Sequence, residues 1–195
     1  VTGAVLARDL ATRTRRPDPE DDLVAGLLRD LGVVPLQRAF PYAWRELAPV
    51  RARCSPARVC AAEVEAFGVS HPEVGAELLS RWHLPGNVVT PIRHHHDPVT
   101  PGASWADRAE LLYFVECLTR LDAVAGDTTE FARLLTIAMH RFRLPPRALA
   151  EWLGAVAPKV DEFIAIAGAD VGPAPNLVAT LAAAFERHGV TPDAA

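Results

Sequence analysis

What most limits how this chain can fold is the period of its apolar residues, which is helical almost from end to end. Asp18-Pro19-Glu20-Asp21 is a start signal: a capping acid, proline at the first helical position and acids in the first turn. Leu23, Leu27, Leu28 and Leu31 follow at helical spacing, and Gly32 is placed to end the helix. Ser55-Pro56 repeats the signal ahead of Val59, Val64 and Phe67, with Gly68 as the stop. Ser70-His71-Pro72-Glu73 has capping-box spacing and precedes Val74, Leu78, Leu79 and Trp82. Pro85 opens a short helix through Val88, Val89 and Ile92, and its internal Pro91 allows a bend. Asp97 to Gly102 reads as a loop, after which Ser104-Trp105-Ala106-Asp107 caps a long apolar helix containing Leu111, Leu112, Val115, Leu118 and Leu121. Further helices are expected near 128–142, 146–156, 158–167 and 175–188. No strand pattern and no internal repeat emerges, so the expectation is an all-α, multi-helix bundle.

A chain of 195 residues that is half hydrophobic is long enough for one substantial core. Residues 1–168 read as one helical domain and 169–195 as a linker with a C-terminal helix, because Gly168 to Pro175 is rich in glycine and proline. The net charge of −4 supplies no basic stripe, which argues against a nucleic-acid partner. No apolar run approaches the ~20 residues of a membrane span. Cys54, Cys60 and Cys117 form no C-x-x-C pair, and their odd number fits a reducing cytoplasm. The first residue is Val1 rather than methionine, as in a piece cut from a longer protein.

The chemistry-bearing residues are few. His94, His95 and His96 are adjacent, and His71 lies one helix earlier. Imidazole is the commonest metal ligand, but neighbouring helical residues point ~100° apart, so the three cannot all converge on one ion. One or two can face inward to meet His71. The plainer alternative is a polar helix end, where cationic histidine offsets the dipole. Asp30 is the second oddity, an acid in the last turn of an apolar helix, where it calls for a partner such as Arg29 or a histidine. There is no phosphate-cradling glycine loop and no G-x-S-x-G elbow. The cysteines and the dispersed Trp44, Trp82, Trp105 and Trp152 read as core residues.

Four segments in order carry a resemblance: Gly26-Leu-Leu-Arg-Asp-Leu-Gly32; Glu63-x-Glu65-x-Phe67-Gly68-Val69-x-His71-x-Glu73-Val74-Gly75-Ala76; Leu79-x-x-Trp82-x-Leu84-Pro85; and Ile92-x-x-His95-His96-Asp97-Pro98. The set, over roughly residues 22 to 100, resembles the HDOD domain, a regulatory branch of the HD superfamily of metal-dependent phosphohydrolases. The resemblance implies an HD-superfamily-like bundle, and an N-terminal helical subdomain that is not evident in this sequence. In active HD phosphohydrolases the first motif reads Gly/Ala-Leu-Leu-His-Asp-Ile-Gly, and its His and Asp bind metal. Here the His position is Arg29 and the Asp is Asp30. By the same resemblance His71, His95 and His96 match histidine ligands, and Glu116 is the carboxylate nearest the family's final Asp.

A guanidinium is permanently cationic and cannot ligate a metal. Arg29 therefore predicts a vestigial site in which it pairs with Asp30 or Glu116, the alternative being that it points to solvent over a collapsed pocket. His71 is expected to join Glu73 or Asp30. The implied function is a non-catalytic regulatory module of bacterial signal transduction, contacting a protein partner or neighbouring domain, with no cofactor, no membrane and no nucleic acid; a homodimer stays open. Two alternatives remain. One is a residual phosphohydrolase with manganese, iron or magnesium on Asp30, His71, His95 or His96, and Glu116. The other is an anion or nucleotide sensor in the same pocket.

Overall fold

From Leu111 to Leu118 every residue but Glu116 is apolar, and a helix apolar on all its faces has to be enclosed by others. A computed structural model of the chain, which describes residues 1–98, 103–168 and 175–192, shows that enclosure. In chain order the helices are α1 (Thr2–Arg13), α2 (Pro19–Leu28), α3 (Val33–Ala39), α4 (Pro41–Glu46), α5 (Ala48–Arg53), α6 (Pro56–Phe67), α7 (His71–Arg81), α8 (Gly86–Arg93), α9 (Ala106–Thr119), α10 (Leu121–Val124), α11 (Thr128–Phe142), α12 (Pro146–Ala167) and α13 (Leu177–His188). There is no strand among the described residues. The central helix is α9, which packs on α1, α2, α6, α8, α10 and α11.

Leu6 and Leu10 of α1, Phe114 and Leu118 of α9, Phe131 and Leu134 of α11, Leu149 and Leu153 of α12, and Leu181 and Phe185 of α13 share one core. Each such side chain contributes about 1.5–3 kcal/mol on burial. The C-terminal helix is thus part of the main core. A smaller core of Ala25, Ala76, Leu79, Val88, Val89, Ile92 and Leu112 joins α2, α7, α8 and α9. Asp22, fully buried on α2, receives Arg108 Nε of α9 at 2.6 Å and so fixes α2 along α9. No helix among the described residues is long and apolar enough to cross a membrane.

Several local expectations need correction. The helix α1 precedes the first start signal; its small and apolar residues Ala4, Val5, Leu6, Ala7, Leu10 and Ala11 are all buried, without an acid or proline to mark its start. Asp18 sits at the start of α2 in the left-handed region and makes no side-chain cap, and Ser55 makes none either. Ser104 is not the cap of α9, which begins after Trp105. The helix expected to run to Gly32 ends at Leu28, so Arg29 and Asp30 lie in the turn that follows. Helices α3 to α5 fill a stretch left blank by its prolines, and Pro41 and Pro49 serve in first turns instead. The two helices expected at 146–156 and 158–167 are one, since the buried stripe of Trp152, Leu153, Val156 and Val160 runs on past Pro158. The capping box of Ser70 and Glu73 forms as expected, and Gly68 takes the left-handed stop at φ 74°. Most of the expected loop to Gly102 and of the linker from Gly168 lies outside the described residues.

Gly26 and Gly32 answer to close approach rather than to helix termination. A β-carbon on Gly26 would stand 2.7 Å from the α-carbon of Ala4. One on Gly32 would stand 2.0 Å from the carbonyl oxygen of His71 and 2.6 Å from the amide nitrogen of Gly75. Gly32 has an ordinary φ of −64°, so only contact forbids a side chain there. Gly32→Ala is expected to lower unfolding stability in urea by at least about 1–3 kcal/mol, as overpacking does. Gly86→Ala, with open space around its β-carbon, is expected to leave stability unchanged or slightly raised.

Candidate functional site

The turn after α2, the first residue of α7, the turn after α8 and the last turn of α9 meet at one point. Helix α2 delivers Arg29 and Asp30, α7 delivers His71, the end of α8 delivers His95 and His96, and α9 delivers Glu116. Glu116, His71, His95 and His96 are at most 5% exposed, Arg29 is 8% exposed, and the Asp30 side chain is half open. His94 turns away and stacks on Trp105, with ring centroids 4.2 Å apart.

Hydrogen bonding fixes the imidazoles in turn, because a carbonyl or carboxylate can only accept. His95 Nδ1 donates to the Ile92 carbonyl at 2.6 Å, which turns Nε2 toward Glu116. His71 Nδ1 donates to Glu63 Oε2 at 2.6 Å, and the His71 amide donates to the same oxygen at 2.9 Å. His71 Nε2 and His96 Nε2 lie 3.0 Å apart and share a hydrogen bond. That leaves His96 Nδ1 bare, and it is buried without a hydrogen-bond partner. Burial holds the His96 ring well below its ordinary pKa, so it is neutral.

Glu116 is the hub. Its Oε2 lies 3.3 Å from His95 Nε2, 3.6 Å from His96 Nε2 and 3.9 Å from Arg29 Nε, and its Oε1 lies 3.7 Å from Arg120 Nη1. Burial alone would raise its pKa, but the His95 ring and Arg29 beside it outweigh it and hold the carboxyl well below the ordinary range. Arg29 faces inward. Its Nη1 donates to the Gly26 carbonyl at 3.2 Å, and its Nε lies 3.3 Å from Asp30 Oδ2. Gly3 of α1 makes room for the guanidinium, since a β-carbon there would stand 2.2 Å from Nη1.

Arg29, Asp30, His71, His95, His96 and Glu116 are therefore assembled as one cluster. Of the two expected partners of His71, Asp30 stands at ion-pair distance, 3.6 Å from Nε2, whereas Glu73 is occupied by Ser70; the hydrogen-bonded acid is Glu63. Glu63, fully buried, and two arginines were missed. Arg51 Nη1 binds Glu63 Oε1 at 2.8 Å, and Arg120 reaches from α9 to the Cys54 carbonyl at 3.0 Å. The one available signal was the Glu116–Arg120 spacing of four on a helix. Arg51 belongs to a segment with no periodicity.

The nitrogens of His71, His95 and His96 lie close enough to share one ion, as do donor atoms of Asp30, His95 and Glu116. The carboxylates among them are already met by fixed positive charge. Each carboxylate already faces its own guanidinium: Asp30 faces Arg29, Glu63 faces Arg51, and Glu116 faces Arg120 and Arg29. A dication on Glu116 Oε2 at about 2.1 Å would stand within about 6 Å of Arg29 Nε, a repulsion of roughly 5 kcal/mol at an effective dielectric of ~20 that offsets part of its attraction to the carboxylate.

A family model of the HDOD domain matches residues 1–98, just over half of the chain, so the chain belongs to the HDOD family. An uncharacterized protein of Treponema pallidum (strain Nichols) is 37% identical over 78 residues, which are 40% of this chain and 15% of that protein. The chain thus spans a small part of the relative's length. No solved structure matches it.

The neutral His96 sets a pH dependence. Below its ordinary value of 6.5 the unfolded chain takes up a proton that the folded ring refuses, so stability is full above pH 6.5 and falls below it. The expected slope is about 1.4 kcal/mol per pH unit for one proton. The contribution of Glu116 is present above its ordinary 4.5 and begins to be lost only below that. Urea unfolding from pH 7.5 to 5.0 should therefore show the loss, and His96→Gln should flatten it by about one proton's worth. Equal slopes in the two proteins would contradict the neutral assignment.

Proposed function

We propose, from membership of the HDOD family and from the charges around Glu116, that this chain is a non-catalytic regulatory module of bacterial signal transduction. It works in the cytoplasm through contacts with a protein partner or a neighbouring domain. The observation that carries the reading is the one-to-one matching of Asp30, Glu63 and Glu116 with Arg29, Arg51 and Arg120. A hydrolytic centre of the superfamily's kind uses uncompensated carboxylates to hold a cation, and it must admit a substrate. Here the cation is a side chain, and Glu116 and the three histidines are enclosed. Buried charges matched in this way hold helix ends in register, and the helices they hold present surfaces to partners.

A second reading has one observation in its favour. Arg51 and Arg120 line a cavity of about 310 Å³ beside the cluster, together with Asp122. The two guanidiniums, although paired with Glu63 and Glu116, are the groups there that a small anion such as phosphate would meet.

The purified chain is expected to carry substoichiometric manganese, iron and magnesium by mass spectrometry. It is also expected to hydrolyse neither bis-p-nitrophenyl phosphate nor nucleotides when manganese is added. Stoichiometric metal with turnover that His95→Ala abolishes would overturn the regulatory reading. Saturable phosphate binding that Arg120→Gln removes would favour the sensor.

A further inference from the structure

Residues 33–53 fold into α3, α4 and α5, and of the residues in these helices only Leu36 is buried. What they leave outside is apolar and aromatic: Val34 is 56% exposed, Phe40 42% and Tyr42 78%. Single apolar residues on a surface are ordinary. These are joined. Phe40 stacks on Phe67 of α6 with centroids 5.1 Å apart, Trp44 lies over the same ring at 6.2 Å, and the exposed Val64 is one helical turn before Phe67. Between Val34 and Trp44 runs a groove of about 470 Å³, bordered by Gln37, Arg38, Pro41 and Arg45.

The charges on this face are one-sided. With Arg51 already paired to Glu63, residues 33–53 still carry Arg38, Arg45 and Arg53 against the single acid Glu46, in a chain whose net charge is −4. Two of the guanidiniums lie over aromatic rings, Arg45 over Tyr42 at 5.1 Å and Arg51 over Trp44 at 3.9 Å, so the aromatics are held in place. Exposed Tyr42, half-buried Trp44 and exposed arginines, pre-positioned around a groove, are the composition that concentrates binding energy in protein interfaces. Opposite charge in the partner adds steering and register.

We infer that this face docks an acidic amphipathic segment of a protein partner. Its apolar side chains enter the groove between Val34 and Trp44, and its carboxylates meet Arg38 and Arg45. A nucleic acid fits less well, because the cations form a short patch on an anionic protein rather than a track along a backbone. The inference names the partner chemistry for the contact reading above and rests on it. Metal content and hydrolysis test that reading separately, so the two failures are distinguishable.

The test is selection of a random 16-residue peptide library, displayed on phage, against the full chain. Affinity of the recovered peptides is then measured by fluorescence anisotropy. Recovered sequences are expected to be enriched in Asp and Glu interspersed with Leu, Phe or Trp. Their affinity should fall at least tenfold on the double variant R38E/R45E, and also on Tyr42→Ala, with circular dichroism melting unchanged because all three residues are exposed. Failure to enrich, enrichment of basic or uncharged peptides, or acidic peptides indifferent to R38E/R45E would each overturn the inference. So would tighter, R45E-sensitive binding of a 12-nucleotide single strand, which would make the face a nucleic-acid surface. Self-association in sedimentation that Tyr42→Glu abolishes would assign it instead to a second copy of the chain.

Discussion

A carboxylate enclosed on the central helix has to be compensated where it stands, and Glu116 sets the terms for everything packed around it. Burying an isolated charge costs several kcal/mol even after the protein relaxes. The helix that carries Glu116 is wrapped by six others, so no water shell can supply the compensation. It comes from the ends of elements: Arg29 after α2, His95 after α8, and Arg120 just past the end of α9 itself. Positions and termini of helices that share no sequence neighbourhood are thereby tied to one carboxylate.

The same logic continues outward. Glu63 on α6 is as deeply enclosed as Glu116, and it is met from one side by His71 and from the other by Arg51. Arg51 in turn covers Trp44, so the buried cluster and the aromatic face share a residue. Arg120 donates to the Cys54 carbonyl and to that of Arg51, which closes the segment between α5 and α6 onto α9. An ion at the centre would serve the same cohesive purpose. Here the fixed positive charges come from side chains, which is the physical content of finding arginine where hydrolases of the superfamily place a histidine.

How much of this was legible in the sequence depends on whether the signal was local. The all-helical class, the capping box at Ser70, the stop at Gly68 and the apolar helix through Leu118 follow from period and capping chemistry within a few residues. Helix α1 was not legible, because its identity as a helix rests on burial against α2, α9 and α12 rather than on caps. Pro158 misled for the converse reason, since tertiary packing of Val156 and Val160 outweighs one missing hydrogen bond. At the site, the resemblance named Arg29, Asp30, His71, His95, His96 and Glu116, and the structure brings them together. Glu63, Arg51 and Arg120 are long-range partners whose spacing in the chain carries no information about their meeting. Gly26 and Gly32 were visible as residues, but the reason for them, close backbone approach, was visible only once α1 and α7 were in place.

The central claim is that the Arg29 guanidinium occupies the electrostatic role of a divalent ion in this cluster. Calorimetric titration of manganese into the wild-type chain and into Arg29→His tests it directly. The account predicts no saturable heat for the wild type and about one ion per chain for the variant, because the substitution removes the fixed charge and adds a nitrogen donor. Stoichiometric binding to the wild type, or none to a folded Arg29→His variant, would contradict it.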